Sequence, residues 1–153
     1  MSWLSNHDII EKLRHNADDK TWKAFGGVYS IDTLPQSISI YPVFIIVNTH
    51  THNLPGEHWK AIFIKEDRTG EVFDSLALTL NNFTLNWLNK FTRKWKTNLL
   101  PYQHPLSATC GAFVIYFILK RLNHDSLESL NKTLSSNPLR NERMIRSFYA
   151  NLK

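Results

Sequence analysis

Cys110 is the only cysteine in the sequence, and it stands where the chain changes character. A polar loop, Gln103 to Thr109, precedes it, and a continuous apolar stretch of helix length, Gly111 to Leu119, follows. A thiol in the first turn of a buried helix faces the positive end of the helix dipole, which favours the thiolate and hence a nucleophile. A free cysteine is also among the residues most often buried simply as packing, so both readings stand at this point. Gly111 leaves room for a substrate backbone beside the sulfur, and Gln103 adds an amide donor upstream in the same loop.

A thiol nucleophile needs a base, and the base needs a group to orient it. Of the seven histidines, His7 and His15 fall on the surface of a predicted first helix, His50 and His52 in a loop, and His124 in a turn between helices. His104 is closest in sequence to Cys110 but sits beside a proline in the Cys110 loop. His58 differs, because it opens a predicted central strand, where a side chain can project from the end of a sheet. Asp74 closes the strand that hairpins with it. Antiparallel pairing returns the end of the second strand to the start of the first, so His58 and Asp74 can be neighbours by geometry alone. Each has a plainer reading too: a hydrogen-bonded strand-end histidine and a strand-terminating turn aspartate. His50, His52 and His58 lack a carboxylate at matched spacing and make a poor metal set. No GxxxxGK phosphate loop occurs.

The elements that must position these groups are legible as patterns. Ser5 caps a first helix, with Asp8 in the capping-box position and Ile9, Ile10 and Leu13 at helical spacing. Asn16 to Lys20 reads as a polar turn, and Gly26-Gly27 as a bend before Val28 to Ile31. Tyr41 to Val47 reads as a central strand buried on both faces, followed by a polar loop containing Pro55-Gly56. His58 to Lys65 and Glu71 to Asp74 form a hairpin about Asp67 to Gly70. Asn81 to Lys96 carries Phe83, Trp87, Leu88, Phe91 and Trp95 at helical intervals, with Lys90, Arg93, Lys94 and Lys96 as a basic outer face. Asn98 to Tyr102 reads as a short edge strand. Three helices follow: the Cys110 helix, ending near Leu122, then about Ser126 to Leu134 and Pro138 to Leu152. The expected class is α+β, a small mixed, mainly antiparallel sheet packed with helices, in a single domain over residues 1–153.

Composition narrows the function classes. With 153 residues, 42% hydrophobic and 20% charged, the chain can bury a self-sufficient core. No apolar run approaches the ~20 residues of a membrane span, and Met1 to His15 carries charges within its apolar pattern, unlike a signal peptide. A single cysteine permits no internal disulfide, which suits a reducing intracellular compartment. A net charge of +5 permits nucleic-acid contact without indicating it.

In order, His58-Trp59, Phe73-Asp74-Ser75, Gln103 and Cys110-Gly111 resemble the site residues of cysteine proteases of the adenovirus type. Those enzymes share a fold with the proteases that process ubiquitin-like modifiers. Phe25 to Tyr29 resembles the family's N-terminal segment. Ile46 to Thr49 with Gly56-Glu57-His58-Trp59 resembles its VNT…GxHW stretch, and Pro105 to Gly111 its PNSAACG. Leu139-Arg140-Asn141 with Ser147-Phe148 resembles a later helix. The set resembles most the adenovirus-like proteases of large DNA transposons and related DNA viruses. Adenoviral enzymes commonly have Glu where this chain has Asp74, and they attach an activating peptide through a second cysteine that this chain lacks.

The resemblance implies a papain-like fold with a Cys-bearing central helix. It implies Cys110 as nucleophile, His58 as base, Asp74 as orienting carboxylate, and Gln103 with the Cys110 N–H as oxyanion donors. Substrate contacts are implied at Gly56, Glu57, Trp59 and Gly111, with Trp59 walling a channel that admits only glycine-like residues; strand packing is the plainer role for that indole. The implied activity is an endopeptidase that matures viral or transposon-encoded structural proteins, acting as a monomer in host nucleus, cytoplasm or virion. No cofactor is required by sequence. DNA, bound through Lys90, Arg93, Lys94 and Lys96, and an activating peptide held without a disulfide are the partners the family adds. The alternatives are an isopeptidase for a ubiquitin-like modifier, an inactive protease-fold module that binds protein or nucleic acid, and a basic scaffold protein.

Overall fold

The computed structural model describes residues 1–50, 58–124 and 126–153. Its centre is a five-stranded sheet in the order β1 (Phe25–Ser30), β2 (Val43–Asn48), β3 (Trp59–Ile64), β4 (Thr69–Phe73), β5 (Lys94–Thr97). The inner pairs β2–β3 and β3–β4 are antiparallel, whereas the outer strands β1 and β5 pair in parallel with β2 and β4. The sheet is therefore mixed, with an antiparallel centre.

Both faces are covered, which is why β2 and β3 are buried along their whole length. One face carries Phe44, Ile46, Trp59, Ala61, Phe63 and Phe73. Against it pack α1 (Asn6–Asn16), α4 (Cys110–Arg121), α5 (Leu127–Asn131) and α6 (Pro138–Ala150). The opposite face, with Val43, Ile45, Val47, Ile62, Ile64 and Val72, packs on Trp87 and Leu88 of α3 (Asn82–Phe91). α4 is buried at every position from Cys110 to Ile118. Phe117 stacks on Phe73 with ring centroids 4.9 Å apart and meets Phe44 edge-on. Burial of each such side chain is worth about 1.5–3 kcal/mol. Near its other end, Arg121 forms a two-pronged ion pair with Glu71 of β4, Nε to Oε1 at 2.6 Å and Nη2 to Oε2 at 2.8 Å. The helix is thus fastened to the sheet at its far end while its first residue is Cys110.

Local signals explain most boundaries. The Ser5–Asp8 capping box is formed in full. The expected turn at Asn16 to Lys20 runs instead into a short helix, α2 (Asp19–Ala24), because the Asp18 side chain accepts the Thr21 N–H as an N-cap. The expected bend at Gly26-Gly27 is a bulge within β1, with Gly27 at φ +118°.

The largest correction concerns Asn81 to Lys96. The helix stops at Phe91 and Thr92 is extended. The Arg93 N–H bonds the Arg68 carbonyl, and Lys94–Thr97 pairs with β4. Ladder bonds along an open sheet edge override the helical spacing there, and Trp95 joins the apolar sheet face. The expected edge strand at Asn98 to Tyr102 lies four residues too late, since β5 already fills that edge. Among the described residues, no helix is long and apolar enough to cross a membrane.

Candidate active site

Ala61 pairs with Phe73, so the next residues outward along β3 and β4 are Lys60 and Asp74, with His58 two positions beyond Lys60. The imidazole of His58 meets the Asp74 carboxylate, Nε2 to Oδ1 at 2.5 Å, both groups buried. A chain reversal directly after β4 completes the cradle. The Leu76 N–H donates to Oδ1 and the Leu78 N–H to Oδ2, each at 2.9 Å, and Lys60 Nζ lies 3.3 Å from Oδ2. The reversal requires Ala77 at φ +50°, an uncommon conformation for a residue with a Cβ. The Asn98 side chain locks the Asp74 backbone from behind, accepting its N–H and donating to its carbonyl.

Every group on the carboxylate is a donor, so Asp74 is held ionised and acceptor-only. His58 Nε2 therefore carries the hydrogen, and Nδ1 is the basic nitrogen left for Cys110, with which the ring also interacts. Burial of the ring works against its charge, but the Asp74 carboxylate and Cys110 outweigh burial and raise His58 from the usual 6.5 to about 9. Burial likewise pushes the Asp74 carboxyl up, but His58, Lys60 and the Leu76 N–H override it and hold the group below 3.8.

These opposite shifts set a pH dependence. The share of folding stability from Asp74 is present above about pH 3.8 and is lost as pH falls through its lower folded value. The share from His58 is present in full below about pH 6.5 and is lost as pH rises through about 9. In urea unfolding, the stability gap between wild type and His58→Ala should be wide near pH 6 and shrink toward pH 10. A gap that grows with pH contradicts the ion pair.

Gln103 is buried, and its carboxamide orientation is dictated by its neighbours. Ser75 Oγ donates to its Oε1 at 2.5 Å, and its Nε2 donates to the Ser107 carbonyl at 3.0 Å. Among the described residues Nε2 makes no second hydrogen bond, which leaves one N–H for a ligand. A cleft of about 620 Å³ brings Gln103 and His58 together with Trp3, Thr49, Lys60, Leu76, Leu78, Leu106 and Ser107 along its lining. Cys110 opens α4 and has no exposed surface. The N-cap residue Thr109 makes no side-chain cap bond, so its hydroxyl leaves the first-turn N–H groups uncovered.

The other expected site residues fall differently. Trp59 is a core residue and does not line the cleft; its indole N–H donates to the Leu4 carbonyl at 3.1 Å, and Trp3 stands in the cleft instead. The open space expected above Gly111 is filled by Leu4, whose side chain comes within 2.9 Å of where a Cβ on Gly111 would lie. Gly56 and Glu57 lie outside the described residues. Lys90, Arg93, Lys94 and Lys96 share no helical face: Lys90 is on α3, Arg93 Nε donates to the Asp67 carbonyl, and Lys94 and Lys96 are on β5, where Lys96 pairs with Glu128. Lys60 and Asn98 do not stand out as site residues in the sequence, and Ser75 enters there only as part of the Phe73-Asp74-Ser75 motif, with no role of its own. Lys60 leaves a trace, a charge within the otherwise apolar strand WKAIFI.

No protein-family model matches the chain, and no curated protein is detectably similar to it in sequence. Solved structures are similar in fold. The ASFV pS273R protease superposes with a TM-score of 0.61 at 19% identity over 84% of this chain, which spans only 61% of that protease. The Chlamydia abortus effector protein ChlaDUB superposes with a TM-score of 0.53 at 15% identity, over 95% of this chain and 76% of that one. The α+β chain, its mixed sheet packed with helices, thus shares its fold with the ASFV pS273R protease and with ChlaDUB.

Proposed function

We propose that the chain is a cysteine peptidase that cuts polypeptide substrates after glycine, with Cys110, His58 and Asp74 as its triad. The observation that carries this reading is the convergence of a buried His58–Asp74 pair on the uncapped first turn of α4, where Cys110 sits. His58 Nδ1 holds the proton drawn from Cys110 as a thiolate–imidazolium pair, and the thiolate attacks the scissile carbonyl carbon. The carbonyl electron pair moves onto oxygen, where the Cys110 N–H and Gln103 Nε2 receive it. One such donor is worth about 2.7–4 kcal/mol. The imidazolium then gives its proton to the leaving nitrogen as the C–N bond breaks, leaving a thioester. His58 next takes a proton from water, which releases the acyl group as a carboxylic acid and restores the thiol.

Glycine is the residue that the resemblance implies ahead of the cut, and a thiol with no exposed surface fits a narrow approach to the reacting carbonyl. Maturation of viral or transposon-encoded structural proteins is the task implied by the resemblance of the His58-Trp59, Phe73-Asp74-Ser75, Gln103 and Cys110-Gly111 set to adenovirus-type proteases. The same chemistry acts on an isopeptide bond if the leaving amine is a lysine side chain.

The test is labelling by a peptide that ends in glycine followed by a thiol-reactive electrophile. The folded wild type should be labelled at Cys110, whereas Cys110→Ala is not labelled and His58→Ala is labelled far more slowly. Equal labelling of folded and urea-unfolded wild type would defeat the reading, since an ordinary thiol does the same.

A further inference from the structure

Behind the Cys110 loop, on α6, Glu142 is buried and turned toward the loop. Its Oε1 accepts three hydrogen bonds from that loop, from the His104 N–H at 3.0 Å, Ser107 Oγ at 2.6 Å and Thr109 Oγ1 at 2.9 Å. We propose that Glu142 is the positioning residue of the oxyanion site, a role that rests on the peptidase reading above.

Two consequences of those bonds reach the reacting groups. A threonine at an N-cap normally turns its hydroxyl oxygen to the first-turn N–H groups. Here Glu142 and Ser107 hold the Thr109 hydroxyl instead, and Thr109 is the residue whose peptide link carries the Cys110 N–H that meets an oxyanion. The same carboxylate fixes Ser107, whose carbonyl receives Gln103 Nε2 and so sets which way that amide points. Both oxyanion donors are therefore aimed through Glu142. Beside Glu142 on α6, Asn141 Nδ2 donates to the Tyr102 carbonyl at the start of the loop, at 3.1 Å. A second pocket of about 680 Å³, lined by His104, Leu106, Ser107, Leu139, Arg143 and Arg146, lies on that side, and Leu106 and Ser107 border both it and the cleft.

The test separates oxyanion chemistry from thiol chemistry. Turnover of a glycine peptide passes through an oxyanion, whereas alkylation of Cys110 by iodoacetamide, a displacement at carbon, does not. Glu142→Leu should lower kcat by roughly 10–100-fold, the cost of misplacing a catalytic group by about an ångström, with KM and the alkylation rate held within about twofold. Glu142→Gln, which keeps an acceptor at Oε1, should recover much of the loss. In a Gln103→Ala background Glu142→Leu should cost less than it does alone. If Glu142→Leu does not fold, Ser107→Ala, which removes one of the three bonds, should show the same split on a smaller scale. An unchanged kcat overturns the proposal. A fall of kcat and alkylation in parallel also overturns it, and assigns Glu142 to folding alone. Wild type that neither turns over nor is labelled at Cys110 removes the peptidase reading itself, and the positioning role with it.

Discussion

Asp74→Asn is expected to lower kcat by about 10⁴-fold, the loss typical when the orienting carboxylate of a triad becomes an amide. The reason is visible in the four donors that converge on this side chain: His58 Nε2 and the Leu76 N–H on one oxygen, the Leu78 N–H and Lys60 Nζ on the other. An amide has one acceptor and one donor end. If its oxygen faces His58, its NH₂ meets the Leu78 N–H and the Lys60 ammonium. If it flips, the NH₂ faces His58, and the ring must place its hydrogen on Nδ1, the nitrogen that has to accept the proton of Cys110. Either way His58 loses the counter-charge that keeps it protonated to about pH 9. The loss should be of that order near neutrality, with the alkaline limb of the pH profile moved to lower pH, and a drop of only a few-fold with an unmoved profile would show that Asp74 is structural. Thermal stability should fall as well, because a donor facing a donor in a buried site costs about 1–3 kcal/mol.

The second large effect is on stability, far from the chemistry. Arg121→Met leaves Glu71 as an unpaired carboxylate beneath α4, a change that typically costs 3–5 kcal/mol. For a chain of this length that corresponds to a fall in Tm on the order of 10 °C. The Arg121 guanidinium also bonds the His124 carbonyl at 2.6 Å and lies over the Phe63 ring, so packing is lost with the charge. Glu71→Leu combined with Arg121→Met should recover most of the loss, since a buried ion pair is often no better than an apolar replacement of similar volume. Calorimetry on the two single variants and the double variant decides it: a double variant no more stable than either single contradicts the account. Because α4 carries Cys110 at its first residue, the single variants should also lose turnover in proportion to the fraction unfolded.

What could be read from the amino-acid order alone is what local rules govern. The Ser5–Asp8 cap, the fully buried strand ahead of the polar loop, the β3–β4 hairpin and the apolar Cys110 helix follow from spacing and capping over a few residues. The hairpin is also why His58 and Asp74 could be placed side by side before any coordinates, since antiparallel pairing fixes which ends meet. The rest depends on partners distant in the chain, which no local pattern encodes. Residues 94–97 carry a helical spacing, yet they form β5 because the free edge of β4 offers ladder bonds that a helix end cannot match. The sequence allows Trp59, beside the base, to be a channel wall or ordinary strand packing; the Leu4 carbonyl, 55 positions away, accepts its indole N–H and holds it in the core, and Trp3 lines the cleft. Lys60 beneath Asp74, Ser75 on Gln103 and Glu142 behind the Cys110 loop are ordinary polar residues until the fold buries them. Burial then requires each to find a partner, and those partners are the groups that aim His58, Gln103 and the first turn of α4.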